Sequence, residues 1–287
     1  MADGDSPLVQ RRRLRAELRR ARQAAELTQE QVAREMDWSL SKIIRIEAAS
    51  SSISPNDLRA LLGLYGVTDS EQVDALLAVA RVARERSWWS AYRDVAPPSL
   101  LQLIEYESIA SSIRQFETMF VPGILQTADY AHAVIQDYYD ERPRSDRLRA
   151  LVELRVLRGE LFDSDNPPSF QFMLDEPAVR RHVGGRSVMR RQLRTLIELS
   201  GRPNISMDVI PYSAGLHQGM KGPFKIIEFA DPSDSDIVFL ESPRGDIFSH
   251  DPEEALSYRE AFESLGRVSL GPQNSLTLLT RIHDEMS

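Results

Sequence analysis

The chain has 287 residues, of which 42% are hydrophobic and 27% charged, and it contains no cysteine. This composition is typical of a folded protein of two domains, and the lack of cysteine excludes disulfides, thiolate chemistry and cysteine metal sites. The start of the chain lacks the apolar core of a signal peptide, and no apolar run approaches the roughly 20 residues that span a bilayer. We therefore expect a cytoplasmic protein without membrane contact.

The net charge of −8 is unevenly distributed along the chain. Residues 1–86 carry 14 basic and 13 acidic side chains, a net charge of +1, whereas the remainder carries 21 and 30, a net charge of −9. An acidic second part would be repelled by nucleic acid, so a protein or small-molecule partner suits it better.

The first predicted helix, from Val9 to Ala25, has an apolar stripe and a basic stripe. The apolar positions are Leu14, Leu18, Ala21 and Ala25, and the basic stripe contains Arg12, Arg15, Arg19 and Arg22. The spacing predicts a packed helix with a basic rim. These four arginines are possible phosphate contacts, although a run of charge is also typical of a solvated face.

The segment from Leu27 to Glu47 predicts two short helices joined by a tight turn. Thr28 and Gln31 form a T-x-x-Q capping box at the start of the first helix. The turn contains Asp37 at a place that often needs a positive φ, which Asp tolerates better than most residues. Ser39 is a good N-cap for the second helix, in which Ile43 and Ile46 face inward.

The outward positions of that second helix are the candidate readers of DNA. They are Leu40, Ser41, Lys42 and Arg45. An arginine can donate two hydrogen bonds to guanine, a serine can donate or accept, and a leucine can pack on a thymine methyl group. Each of these residues alone would be an ordinary cap or a solvated charge, whereas their arrangement together is typical of a helix-turn-helix.

The sequences LTQEQVA and SLSKIIRIE resemble the Cro and phage-repressor (XRE) class of helix-turn-helix proteins. The resemblance implies that Gln29 contacts a phosphate, that Lys42 contacts a phosphate or a base, and that the other outward residues face base edges. The predicted DNA-binding set is Gln29, Ser39, Leu40, Ser41, Lys42 and Arg45. The chain departs from the family after this helix, where residues 48–52 replace a glycine and basic residues, so fewer phosphate contacts are expected there.

Two further capped helices complete an all-α domain of five helices. Ser54 with Pro55 and Asp57 begins one of them, and Thr68 with Glu71 begins the other. We predict a DNA-binding domain over residues 1–86 and a linker over residues 87–99. The tryptophans Trp88 and Trp89 of this linker are either buried at a domain junction or available to stack on a ligand.

Residues 100–287 predict an α+β domain with a small, largely antiparallel sheet. Expected strands are Phe170 to Leu174, Ile205 to Ile210, Phe224 to Phe229 and Ile237 to Glu241, with Lys225 and Glu228 half-exposed. A helix is expected through Ile104, Tyr106, Ile109, Ile113 and Phe116. Further helices are expected at Ser145 to Phe162, Glu176 to His182, Val188 to Leu199, Glu253 to Leu265 and Ser275 to His283.

Several pieces of this second part resemble the C-terminal domain of actinobacterial antitoxin-like (Scr1-type) transcriptional regulators. They include LIEYESIASSIRQFE, VPGILQTADYA, LDEPAVRRHVGG and GPFKIIEF. The resemblance implies a regulator paired with a small, separately encoded acidic partner protein. Its partners would therefore be a double-stranded DNA operator, this acidic protein and a second copy of the chain.

No catalytic motif is visible, and the five histidines are scattered without a close pair at metal-ligand spacing. We therefore expect no enzyme activity, no cofactor and no metal. Two alternatives stay open for the second domain. One is a small-molecule sensor whose pocket contains Trp88, Trp89, Tyr92 and Phe116, and the other is an unrecognised hydrolase or transferase.

Overall fold

The computed structural model describes residues 7–47, 53–83, 87–138, 143–230, 234–242 and 245–286. The chain divides into two compact units, Met1–Ser90 and Ala91–Ser287. Within the described ranges, no helix combines the length and the apolar character needed to cross a bilayer. The segment over residues 87–99 contains the 3-10 helix Trp88–Tyr92 and the start of a further helix.

The described part of the first unit contains helices packed around one apolar core, and it extends past them into the 3-10 helix at Trp88. The helices are α1 (Pro7–Ala24), α2 (Gln29–Glu35), α3 (Leu40–Glu47), α4 (Pro55–Leu64) and α5 (Ser70–Val82). Fully buried side chains from α1 to α4, including Leu18, Val32, Ile43 and Leu58, meet in this core. Their spacing on each helix is the apolar periodicity that the sequence shows.

The caps of these helices follow local sequence chemistry. The capping box is confirmed, because Gln31 N donates to Thr28 Oγ1 at 3.2 Å and Thr28 N donates to Gln31 Oε1 at 2.8 Å. Ser54 caps α4 as predicted, accepting from Asp57 N at 3.0 Å. The predicted cap of α5 at Thr68 is wrong, because Asp69 lies one residue later and its carboxylate accepts from Glu71 N at 3.1 Å.

The second unit combines seven described helices with six described strands. The helices are α6 (Pro98–Glu107), α7 (Ala128–Tyr138), α8 (Ser145–Arg158), α9 (Glu176–Arg180), α10 (Arg186–Leu199), α11 (Pro252–Gly266) and α12 (Gly271–Glu285). The strands are β1 (Ser112–Glu117), β2 (Ser169–Asp175), β3 (Ile205–Ile210), β4 (Phe224–Glu228), β5 (Ile237–Leu240) and β6 (Ile247–Ser249).

The strands form one sheet in the order β3-β2-β1-β4-β5-β6. The predicted α+β class is confirmed, but the small, largely antiparallel sheet is not exact, because the sheet has six described strands, β1 pairs parallel with β2 and β2 pairs parallel with β3. The other three pairings are antiparallel, so the sheet is mixed. Parallel neighbours need a long crossover, and the helical segments between β1, β2 and β3 supply it.

Strand β1 lies where the sequence predicted a helix. Helix α6 ends at Glu107, and Ile113 and Phe116 belong to the strand. Ile113 packs in the core with Phe172 and Leu193, whereas Phe116 packs with Phe262 in a second cluster. A strand buried on both faces presents apolar residues three apart, and this spacing imitates a helical pattern.

Helices cover both faces of the sheet. One face packs against α10 and α12 through residues such as Leu193 and Leu279, and the other packs against α11 through Phe262 and Leu265. Lys225 on β4 was expected to be half-exposed, but it is only 3% exposed. Its strand is buried at four successive positions. Lys225 can be buried there because it donates to the carboxylate of Glu107, which is described below.

Helix α12 occupies the outer edge of β3. Val209 N donates to Ser275 Oγ at 2.8 Å, and Leu270 N donates to Val209 O at 3.0 Å. Ser275 is fully buried. The backbone groups of Val209 that point away from β2 are therefore satisfied by α12 and the turn before it.

Candidate nucleic-acid interface

Helices α2 and α3 are joined by a tight turn that includes Asp37. Trp38 N donates to Ala33 O at 2.8 Å, and Asp37 adopts a φ of 52°. The positive φ expected at this position is confirmed. Asp is among the few non-glycine residues that adopt this conformation with modest strain, so the turn forms without glycine.

Helix α3 buries Ile43 and Ile46, as its spacing predicts. Ser39 begins the helix, because its Oγ accepts from Lys42 N at 3.2 Å. Leu40 is 38% exposed, which fits an outward position. The side chains of Ser41 and Arg45 lie outside the described part of the structure, as does the segment over residues 48–52.

The last residue of α3, Glu47, is a buried carboxylate with three close donors. Arg22 approaches it in a bidentate manner, with Nε 2.7 Å from Oε1 and Nη2 3.1 Å from Oε2. Gln29 Nε2 donates to Oε2 at 2.7 Å. The remaining nitrogen of the guanidinium, Nη1, donates to Leu27 O at 2.7 Å. We call these residues, Arg22, Leu27, Gln29 and Glu47, the Glu47 network.

The Glu47 network connects three helices at one point. The hydrogen bond between Arg22 and Glu47 raises the pKa of Arg22, so the guanidinium stays charged. Burial, reinforced by the negative charge of Glu47, also raises the pKa of the neighbouring Tyr65, which stays a neutral phenol. Charge-assisted bidentate pairs have defined geometry as well as strength, so the network fixes the end of α3 relative to α1 and the start of α2.

Arg22 and Gln29 were expected to contact DNA phosphates, and the structure places both on Glu47. Sequence reasoning missed Glu47 itself. A signal was present, because Glu47 follows Ile43 by four residues and therefore lies on the buried stripe of α3. A carboxylate at such a position needs a cationic partner.

Lys42 also has partners within the protein. Its Nζ lies 3.2 Å from Asp57 Oδ2 and 3.5 Å from the centroid of the Trp38 ring. The two charged side chains are 34% and 36% exposed. The ammonium therefore contacts both a carboxylate on α4 and an indole ring in the turn.

The other predicted basic contacts are on α1. Arg19 is exposed and Arg15 is half-buried, while the side chain of Arg12 lies outside the described part. The adjacent Arg20 pairs with Glu17 at 2.8 Å. Arg15 and Arg19 are therefore the described residues of α1 that present the predicted basic stripe.

Comparison with known families gives two matches. Residues 13–76 match a family described as a helix-turn-helix domain. Residues 100–281, more than half of the chain, match the domain of unknown function DUF5753. The chain belongs to the DUF5753 family. No curated protein and no solved structure shows significant similarity to it. The helix-turn-helix domain indicates a DNA-binding regulator, and α2 and α3 are the helices that give the domain its name.

The DUF5753 unit contains a second buried carboxylate, Glu107 at the end of α6. Arg158 Nη2 lies 2.9 Å from Oε1 and Arg158 Nε lies 3.1 Å from Oε2, while Lys225 Nζ also donates to Oε1. Burial opposes ionisation, but the two cations hold the pKa of Glu107 below its ordinary value. We call these three residues the Glu107 triad, and they join α6, α8 and β4.

The aromatic residues of the predicted ligand pocket have different environments in the DUF5753 protein. Phe116 is fully buried beside Phe224 and Phe262 in the sheet core. Trp89 is buried, whereas Trp88 is 44% exposed, and the two indole rings meet edge to face at 5.6 Å. Phe116 is therefore a core residue and does not line a pocket.

The loop between β3 and β4, residues 211–223, presents large apolar side chains to solvent. Tyr212 is 61% exposed, Leu216 89% and Met220 58%. The loop is anchored to α9 and β1, because Tyr212 N donates to Glu176 Oε2 at 2.7 Å and Gly219 lies against the Phe116 ring. A Cβ on Gly219 would lie 2.3 Å from that ring, so only glycine permits this approach.

Proposed function

We propose that this protein is a sequence-specific transcriptional regulator of the antitoxin-like XRE type, which binds its operator as a homodimer. We propose also that its second unit binds a small acidic protein. The observation that carries the first proposal is the placement of α3: the Glu47 network holds its end, its inner stripe is buried, and Leu40 is exposed at its start.

In this proposal, α3 lies in the major groove and its outward residues read bases. Arg45 contacts guanine, Ser41 donates or accepts, and Leu40 packs on a thymine methyl group. Ser39 fixes the start of the helix. Arg12, Arg15 and Arg19 contact phosphates, and Lys42 serves a phosphate or a base.

Arg22 and Gln29 act differently from these residues. Both donate to Glu47, so we assign them the role of positioning α3 against the groove. One recognition helix reads too few base pairs for a unique operator. Two copies would read a near-palindrome whose half-sites lie about 34 Å apart, one turn of DNA.

The test of DNA reading is selection of bound duplexes from a random pool, followed by affinity measurements on the selected motif. Arg45→Ala is expected to weaken motif binding by about 1–3 kcal/mol and to relax preference at one base position. The matched control is Arg59→Ala on α4, a basic and exposed residue, which should leave base preference unchanged. An Arg45→Ala protein with unaltered base preference would refute this register of α3.

The support for a protein partner is the 211–223 loop. It presents three exposed apolar side chains, and large exposed apolar groups are typical of protein-binding surfaces. Although the second part of the chain is strongly acidic, this loop contains no Asp or Glu and carries Lys221. An acidic partner would therefore meet little repulsion at this place.

The partner is tested by adding the small acidic protein encoded by a neighbouring gene to the DNA-selection experiment. Loss or change of the selected motif is expected. Leu216→Ser is expected to weaken the protein complex, whereas Leu256→Ser on α11, at a side chain that is 54% exposed, should not. A motif indifferent to the acidic protein would contradict the partner proposal and favour the alternative, a regulator that responds to a small molecule.

One groove bears on that alternative. It has a volume of about 730 Å³ and runs along the outer face of α12, with Gln273, Thr277, Arg281 and Glu285 among its lining residues. Small-molecule sites are typically enclosed and mostly apolar. This groove is open to solvent, so we prefer a protein partner.

A further inference from the structure

Lys42 is the third residue of α3, at a position that faces DNA in the proposed complex. Its ammonium already has two partners within the protein. Asp57 on the first turn of α4 approaches it to 3.2 Å. The Trp38 ring also contacts the ammonium, with the centroid 3.5 Å from Nζ. A carboxylate attracts an ammonium by its charge, and an aromatic face attracts it through the ring quadrupole.

The pairing of Lys42 with Asp57 affects how Lys42 can contact the phosphate backbone of DNA. Sequence-independent affinity for DNA comes from basic side chains that replace counterions on phosphates. An ammonium that is paired with Asp57 must leave that carboxylate before it can do so. Asp57 itself carries a negative charge that a phosphate nearby would repel. Both side chains are about one-third exposed, at 34% and 36%, so solvent screens the pair only in part.

Building on the proposed DNA-binding function, we propose that Asp57 limits sequence-independent DNA binding by holding Lys42 away from phosphates. Asp57 is therefore a specificity-determining residue, although it contacts no base. Trp38 supports the same arrangement through its contact with the ammonium. In the absence of the correct operator, phosphate contact is left to the arginines of α1.

The test is the Asp57→Asn variant, titrated with a random-sequence duplex at several salt concentrations. Releasing one cation steepens the slope of log affinity against log salt by about 0.9. The variant should therefore bind random DNA more tightly than the wild type, with an advantage that shrinks about 3.5-fold between 50 and 200 mM salt. Asp74→Asn is the matched control, because Asp74 is an exposed residue of α5, and it should change neither affinity nor slope.

Lys42→Met provides a second, independent variant. Alone, it leaves Asp57 without its counter-charge, so it should bind random DNA no more tightly than the wild type does. In the Asp57→Asn background, it should abolish the gain. If the gain persists without Lys42, Asp57 acts by repulsion alone and the holding role is overturned. Weaker or unchanged binding by Asp57→Asn would overturn the inference as well.

These outcomes separate the inference from the function on which it rests. A wild-type protein that selects a motif, together with an Asp57→Asn protein of unchanged affinity and slope for random DNA, retains the DNA-binding function and refutes the role of Asp57. Absence of DNA binding by both proteins refutes both proposals. Binding of random DNA by Asp57→Asn that exceeds wild-type binding and requires Lys42 supports the inference.

Discussion

The two units each place a glutamate at the last residue of a helix, and the two glutamates have different surroundings. Glu47 ends α3 and Glu107 ends α6. The C-terminal end of a helix disfavours a negative charge, so each carboxylate requires cations. Glu47 has one arginine and one amide, whereas Glu107 has an arginine and a lysine.

The difference lies in the partners. Arg22 of the Glu47 network keeps 14% of its side chain exposed, whereas Arg158 and Lys225 of the Glu107 triad are each 4% exposed. The first carboxylate joins helices of the proposed DNA-binding surface, and the second joins a strand to two helices in an interior. The same chemistry thus joins helices of the proposed interface in one unit and holds a core in the other.

The largest effect is expected where the cations around the carboxylate are most buried. Glu107→Gln leaves Arg158 and Lys225 without a counter-charge, and loss of one partner from a buried ion pair costs about 3–5 kcal/mol. Urea unfolding should show this loss of stability. Glu160→Gln, at an exposed residue just after α8, is the control. A loss below about 1 kcal/mol would mean that water or rearrangement compensates the two cations.

A smaller loss of stability is expected at the partly exposed network. Glu47→Gln keeps the shape of the side chain and should cost about 1–3 kcal/mol, since Arg22 can turn toward solvent. Because α3 is then less firmly placed, affinity for the selected motif should fall with base preference unchanged. Thermal unfolding and motif titration measure the two effects. Full motif affinity in a destabilised Glu47→Gln protein would show that the network has no positioning role.

A third glutamate, Glu117, adds a pH dependence of stability to the comparison. Burial, reinforced by Glu241, raises the pKa of Glu117 to about 8 against the opposing influence of Gln115, Lys225 and Arg155. The protonated form is therefore favoured by folding, and its stabilisation is complete below the ordinary pKa of 4.5 and lost as pH rises through about 8. The stability of the second unit should fall between pH 5 and 8 by at most about 1.4 kcal/mol per pH unit.

Glu117→Gln tests this pH dependence. The amide cannot ionise, so the variant should show a flatter stability profile over the same range, measured by urea unfolding in matched buffers. Glu160→Gln again serves as control and should retain the wild-type slope. Equal slopes in Glu117→Gln and wild type would assign the pH dependence to other groups.

The smallest effect is expected on the exposed rim of α1. Arg19→Gln should weaken binding to all sequences alike and reduce the salt slope by about 0.9, because one phosphate contact is lost. Stability should change by less than about 0.5 kcal/mol, as is usual for an exposed site. Titration of motif and random duplexes at several salt concentrations measures the change. A loss confined to the motif would show that Arg19 reads bases.

The sequence predicted features that depend on neighbours in the chain. The Thr28–Gln31 capping box, the Ser54 cap and the turn at Asp37 are local, and each appears in the structure. The buried stripe of α3 was also predictable, because Ile43 and Ile46 follow helical spacing.

Features that depend on distant partners were missed. Strand β1 contains Arg114 and Gln115, and only its pairing between β2 and β4 makes it a central strand. The sequence predicts Lys225 as a half-exposed strand residue, because its partner Glu107 lies 118 positions earlier in the chain. Arg22 is likewise predicted to belong to the exposed basic stripe of α1, because its partner Glu47 lies 25 positions later in the chain. Long-range pairing reverses what local polarity indicates.

The contact between α12 and β3 has a consequence for self-association. An unprotected sheet edge offers backbone groups to which a strand of another molecule can add, and this is a common route to aggregation. Ser275 and Leu270 use both backbone groups of Val209 at this edge. A chain shortened before Gly271 would lose Ser275, the partner of Val209 N, so α12 protects this edge of the sheet against strand exchange between copies of the chain.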